Sequence, residues 1–263
     1  MHDQRELPFR LSDIGLALAF LTRLPVQARE PAFRLRGARA VWAWPVAGAL
    51  IGLLGGLAGA VAAVLGASGG VAAAVILATM ALVTGALHED GLADTFDGLA
   101  GGRTRAERLE IMRDSRIGSF GALALILVTI ARWSALTTVL TAPTADTALS
   151  PALGLLAAAA VSRLPMGLAL LALTAARSDG LAHGLGKPPV ENALAALAIA
   201  LTLALLAAGG TGLLAFLLAL LATAPLFAWA RARIGGQTGD VLGASQQIAE
   251  MAFLATLAGA AAG

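Results

Sequence analysis

AVWAWPVAGALIGLLGGLAGAVAAVLG, residues 40–66, decides the fold. The run contains no Asp, Glu, Lys or Arg. A helix needs about 20 apolar residues to cross the hydrocarbon core of a bilayer, and this stretch supplies them. Working outward, six further runs have the same character: 71–87, 117–141, 153–176, 193–208, 213–230 and 248–263. The last is short and carries Glu250, so it reads as re-entrant or packed inside the bundle. The segment 11–26 is also short, ends in Arg-Leu-Pro, and reads as an interfacial or half-inserted helix. The expectation is an all-α polytopic integral membrane bundle: a single domain over residues 1–263, about seven spans and that N-terminal helix.

Composition agrees. Of the 263 residues 58% are hydrophobic and 13% charged, whereas soluble domains run to roughly a quarter charged. So much apolar surface excludes a disordered chain, and too few polar residues remain to coat a soluble globule. With no cysteine, disulfides, thiolate metal sites and cysteine nucleophiles are excluded. A net charge of +2 gives no reason to expect nucleic acid. The N-terminus is polar and no small-residue cleavage site follows the first apolar segment, so no cleavable signal peptide is read.

The placement of the charges orients the chain. Sixteen of the 18 basic residues fall in four stretches, 1–39, 91–116, 177–191 and 231–247, and the alternating linkers hold none. The positive-inside rule puts all four basic stretches in the cytoplasm, and seven spans satisfy that alternation. Trp42, Trp44 and Trp229 lie near the expected cytoplasmic ends, as an aromatic belt requires. Arg132 and Arg163 fall inside apolar runs; Arg132 is read as snorkelling or facing the bundle, Arg163 as pointing into it. Gly48, Gly52 and Gly56 make a small-residue ridge suited to close helix packing.

The chemistry concentrates after the second run. Seven of the 16 acidic residues lie between Glu89 and Asp114. The string HEDGLADTFDG, residues 88–98, places Asp90, Asp94 and Asp97 at i, i+4 and i+7, one face of a helix. Three carboxylates on one face repel unless a cation lies between them, and their oxygens suit Mg²⁺. A plain solvated acidic face would interleave Lys or Arg, and none occurs before Arg103. Beyond it Glu107, Glu110 and Asp114 recur at helical spacing among Arg105, Arg108, Arg113 and Arg116. That pattern fits an amphipathic surface helix with internal ion pairs. It equally fits an anion clamp in which guanidinium groups hold phosphate oxygens, with Ser115 and the Gly118 amide as neutral donors. Carboxylates for a metal beside an arginine cluster are the parts that phosphoryl transfer needs. The working stretch is thus read as a cytoplasmic catalytic loop at about 88–118.

Asp94-x-x-Asp97-Gly98 followed by Glu110-x-x-x-Asp114 partly resembles the signature of CDP-alcohol phosphotransferases, which continues differently where this chain has Gly101-Gly102. A fuller resemblance is to the cobalamin synthase family, the adenosylcobinamide-GDP ribazoletransferases. It rests on His88-x-Asp90-Gly91-Leu92-Ala93-Asp94-x-x-Asp97-Gly98, on Glu110-Ile-Met-Arg113-Asp114-Ser115-Arg116-Ile-Gly118, on Phe20-Leu-Thr22-Arg23-Leu-Pro25 and on Gly235-Gly236-Gln237-Thr238-Gly239-Asp240. These four motifs occur in register over essentially the whole chain.

The resemblance implies a Mg²⁺-dependent enzyme of the bacterial cytoplasmic membrane. A ribose hydroxyl of α-ribazole, or of its 5′-phosphate, attacks the phosphorus next to the cobinamide side chain of adenosylcobinamide-GDP, and GMP leaves. Under that reading Asp90, Asp94, Asp97 and Asp240 bind metal. Arg113, Ser115, Arg116, Gly118, Arg23, Gln237 and Thr238 contact substrate. Asp114 or one of the trio takes the proton, and His88 contacts substrate or orients a partner. The lipid bilayer is the implied surroundings, and a homo-oligomer stays open. The readings weighed against this one are a CDP-alcohol phosphotransferase-like phospholipid enzyme and an ion-coupled transporter. For His183 and Lys187, in a Gly/Pro loop, the sequence makes no strong case.

Overall fold

A computed structural model describes residues 7–27, 36–142 and 151–262. Among these the chain is helical, apart from one isolated bridge between Ala175 and Gln237. In order come α1 (Ser12–Leu21), a 3₁₀ turn (Arg39–Ala43), α2 (Trp44–Val64), α3 (Gly69–Thr84), α4 (Leu87–Gly101) and α5 (Arg105–Ile111). Then follow α6 (Ser119–Thr141), α7 (Pro151–Val161), α8 (Leu164–Ala172), α9 (Leu181–Leu185), α10 (Val190–Ile234) and α11 (Gly239–Ala262).

Four of these stretches are long and apolar enough to cross a membrane: Arg39–Val64, Ser119–Thr141, Pro151–Ala172 and Val190–Ile234. The pair α3 and α4 would make a fifth, but the two are bent 87° apart. The outward faces are greasy, with Leu57, Val61, Leu123, Ile126, Leu127 and Ile130 all more than half exposed. Side chains of that kind lie open only where lipid or another apolar surface meets them. The chain is a multi-pass membrane bundle.

The expectation of about seven spans meets three differences, each with a physical cause. The run 71–87 ends where Gly85 takes φ +65° and Ala86 φ +56°, so the helix stops and turns. The runs 193–208 and 213–230 both lie in α10, two helices joined at a break with non-helical backbone at Ala208 and Gly209. A β-carbon on Gly212 would overlap the Ala204 carbonyl, so the chain doubles back at that break. Finally, the run 248–263 is only the end of α11, which begins at Gly239 and carries Asp240, Gln246, Gln247 and Glu250. The stretch 88–118 is likewise no loop: it is α4, α5 and the turn into α6.

Glycine ridges bring the helices together. Gly48 and Gly52 of α2 lie against the backbone of α7, while Gly55 and Gly59 face Met80 and Ile76 of α3. The other axis is α11, which packs on α10, α4, α6, α7 and α8. Its buried residues, Val241 to Leu257, run all round the helix, so its polar side chains need partners inside the bundle. At the N-terminal edge Asp13 is buried and accepts Arg36 Nε and Nη2 at 2.8 Å each and Trp42 Nε1 at 2.9 Å, pinning α1 to the chain before α2.

Candidate functional site

The acidic face forms because α4 is a helix, and the 87° bend takes α4 out of the direction of the spans. Asp90 is exposed, Asp94 half-buried and Asp97 only 8% exposed. Gly91 sets what they meet. A β-carbon there would lie 2.8 Å from the Asp240 carbonyl and 3.2 Å from Gly243 Cα. Two glycines thus let α4 and the start of α11 cross backbone to backbone, bringing Asp240 beside the trio.

The result is a patch with too little positive charge. Burial pushes the Asp94 carboxyl up to about 7, helped by the charges of Asp90, Asp240 and Asp97 and opposed by Arg177. Burial also holds Asp240 above the usual carboxylate range, although Arg177 forms an ion pair with it and the Thr238 hydroxyl donates to it at 3.1 Å. Arg177 lies in the loop after α8. Its position at the end of an apolar run, in Arg-Ser-Asp-Gly, was the one signal that could have singled it out.

Asp97 does something different from its neighbours. Its Oδ2 accepts the Gly118 amide at 2.6 Å and its Oδ1 the Gly121 amide at 2.8 Å. The carboxylate therefore anchors the N-terminus of α6, where free amides and the helix dipole favour an anion. A β-carbon on either glycine would overlap that carboxylate. The Gly118 amide, read from sequence as a phosphate donor, is taken by Asp97.

The arginines also divide by role. Arg105 donates from Nε to the Ile234 carbonyl at 2.8 Å and from Nη2 to the Ala176 carbonyl, and Arg108 reaches the Arg233 carbonyl at 3.3 Å. These two tie α5 to the end of α10. Arg113 pairs with Asp179 at 2.6 Å and Arg116 with Asp114 at 2.5 Å, both pairs open to solvent. Hydrogen bonds from Arg116 hold Asp114 down to about 2. While that pair stands, so acidic a group is a poor proton acceptor near neutral pH. Ser115 is exposed.

Four other residues named from the sequence are placed differently. His88 is 1% exposed, with Nε2 unpartnered, and its backbone packs on Gly243. A half-turn from Asp90 on the same helix, it faces the bundle and not the open face. Arg23 is exposed and lies over Gly85 at the α3–α4 bend, with its amide bonded to the Val83 carbonyl at 2.7 Å. Gln237 and Thr238 are 3% and 2% exposed. The glycines before them have a backbone use. Gly235 ends α10 at φ +81°, and a β-carbon on Gly236 would overlap the Thr174 carbonyl, which the Gln237 amide reaches at 2.9 Å.

Sequence reasoning missed what lies behind the patch. Arg132 and Arg163 both point inward and share Glu250: Arg132 takes Oε1, and Arg163 Nη1 reaches Oε2 at 3.1 Å. Gln246 donates to Oε2 at 2.7 Å. Arg132 donates to Gln247 Oε1 at 2.6 Å, and Gln247 donates to Glu89 at 2.9 Å. A connected polar network thus runs from α4 into the apolar core. The signal was Glu250 in the last run together with two arginines in others, three charges that each need a partner.

Open space flanks the acid patch on both sides. A cavity of about 530 Å³ is lined by Asp97, Asp114, Arg116, Gly118 and Ser119 among others. Another of about 180 Å³ is lined by Arg177, Asp179, His183, Gln237, Thr238 and Asp240 among others. Asp94 feels the charge of both Asp97, which lines the first, and Asp240, which lines the second. Among the described residues no three His, Asp or Glu side chains already converge as a metal cage. Mg²⁺ ordinarily takes one or two carboxylates plus substrate phosphates, not an all-protein cage. The oxygen donors and the uncompensated negative charge around Asp94 fit such an ion.

Comparison with known proteins agrees with the motifs. The family model described as Cobalamin-5-phosphate synthase matches residues 13–258. A protein of Bradyrhizobium diazoefficiens named adenosylcobinamide-GDP ribazoletransferase is 45% identical over 245 residues, 93% of this chain and 92% of that one. Proteins of the same name from Mesorhizobium japonicum (45% identical, 93% and 92% covered) and Azorhizobium caulinodans (47%, 93% and 94%) are similar to the same extent. No solved structure matches the chain.

Proposed function

We propose a role from one premise: the chain belongs to the Cobalamin-5-phosphate synthase family. It is a transferase that joins α-ribazole or its 5′-phosphate to adenosylcobinamide-GDP with release of GMP, the last joining step of cobalamin synthesis. A ribose hydroxyl oxygen forms a bond to the phosphorus that carries the cobinamide side chain. The bond from that phosphorus to the oxygen of GMP breaks, and GMP departs with the electron pair.

The observation that carries the mechanism is the crossing of α4 and α11 at Gly91 and Gly243. It sets Asp90, Asp94 and Asp240 together with only Arg177 opposing them. Asp90 and Asp240 would hold Mg²⁺. When bound, the ion would draw charge from the bridging oxygen of the diphosphate. Asp94, beside them, takes the hydroxyl proton. Arg113 and Arg116, on exposed carboxylate partners that phosphate can displace, hold the donor's oxygens. Asp97 positions α6 and His88 packs behind the patch.

The wider placement follows from the charge pattern. The break in α10 and the length of α11 allow seven crossings: α2, α3, α6, α7 with α8, both halves of α10, and α11. The basic stretches, and the patch with them, then face the cytoplasm from the inner membrane. The test is direct. The enzyme in lipid nanodiscs with Mg²⁺ releases GMP from adenosylcobinamide-GDP when α-ribazole is added. CMP release from a CDP-alcohol with no GMP release would overturn this assignment.

A further inference from the structure

The cavity at Arg177 and Asp240 continues into a second lobe of about 320 Å³, and the two share Ala175, His183 and Gln237 as their waist. The second lobe differs in chemistry. Leu170, Leu171 and Leu173 give it an apolar wall, and Lys187, the only lysine in the chain, stands at its edge. Between the lobes Gln237 is 3% exposed and its Oε1 has no hydrogen-bond partner. A buried carbonyl oxygen left unpaired is costly, and a side-chain turn that presents it to the adjoining cleft would let it accept a ligand's hydroxyl.

We infer that this two-lobed cleft is the acceptor subsite: the aromatic base of an α-ribonucleoside fills the Leu170–Leu173 lobe, and its ribose spans Gln237 toward Asp240 and Asp94. The inference rests on the function proposed above and names what the sequence left unassigned, a role for the loop that holds His183 and Lys187. Two features favour the acceptor over the donor. The apolar lobe is at the small end of ligand pockets, about 300–1,000 Å³, so a flat bicyclic base fits and a corrin macrocycle does not. The polar lobe shares Asp240 with the acid patch, so the sugar hydroxyls arrive beside that patch.

Base selectivity tests it, because a purely structural side chain does not alter which base is preferred. Leu171→Trp fills the lobe, and Leu171→Ala widens it. One methylene in a hydrophobic pocket is worth about 10–200-fold in selectivity. With full-length enzyme in nanodiscs, Leu171→Trp should cut the kcat/KM preference for the dimethylbenzimidazole α-riboside over the benzimidazole α-riboside by about tenfold. Leu171→Ala should raise relative use of a bulkier naphthimidazole α-riboside by about as much. The KM for adenosylcobinamide-GDP should stay within about twofold. Unmoved base ratios in an active Leu171→Ala enzyme, or a donor KM that shifts in their place, overturn the acceptor subsite. Absence of GMP release by the wild type in the same assay instead overturns the proposed function.

Discussion

Asp94 is the residue on which most turns. Its carboxyl, pushed up to about 7 by burial and three neighbouring acids, resists ionising in the folded chain. A carboxyl whose folded pKa lies above the ordinary value of 3.8 favours the fold at low pH, and that advantage disappears as pH rises through about 7. Metal-free protein should therefore lose thermal stability between about pH 4 and pH 7, and Asp94→Asn should flatten that decline. The same substitution should lower kcat by about 10²–10⁴-fold. A kcat within a few-fold of wild type would reject Asp94 as the proton acceptor. The spacing of Asp90, Asp94 and Asp97 was legible because a helix repeats every 3.6 residues. That Asp97 spends both oxygens on α6 was not, because Gly118 and Gly121 lie more than twenty residues away and come close only through tertiary packing.

At the scale of elements, α11 and α10 hold the surprises. Glu250 of α11 serves two arginines from different helices. Removing one partner of a buried ion set costs about 3–5 kcal/mol, so Glu250→Gln should lower the unfolding midpoint sharply in detergent or nanodiscs. Replacing Arg132, Arg163 and Glu250 together by apolar residues should recover much of that loss, since the desolvation cost then vanishes with the charges. No recovery would mean that the network does more than neutralise itself. In α10 the break rests on Gly209, at φ +51° and ψ −124°, a conformation that side chains with a β-carbon resist. Gly209→Ala should destabilise by about 1–3 kcal/mol, read by thermal unfolding, while Gly210→Ala, with open space around it, should be nearly silent. The apolar runs announced helices here but not their extent. Their ends did not show in hydropathy, because the turns are made by glycines and alanines that are themselves apolar.

For the whole molecule the open issue is which face meets the cytoplasm. The chain lacks cysteine, so single cysteines report topology cleanly. Ser68→Cys, just before α3, should react with a membrane-impermeant maleimide on intact cells, and Thr104→Cys, capping α5, should react only after lysis. Asp146, the second outer position expected from the charge pattern, lies outside the described residues. Equal labelling of both cysteines in intact cells would overturn the orientation. Composition and apolar runs already determined a helical membrane protein, and the four motifs its family, because hydropathy depends on local solvation and the motifs on residue order alone. Only the tertiary structure decided that α4 crosses α11 through paired glycines, that Arg177 and Asp240 complete the patch, and that Glu250 neutralises two buried arginines. Such contacts join residues up to 158 positions apart, and their energy exists only once the helices have packed.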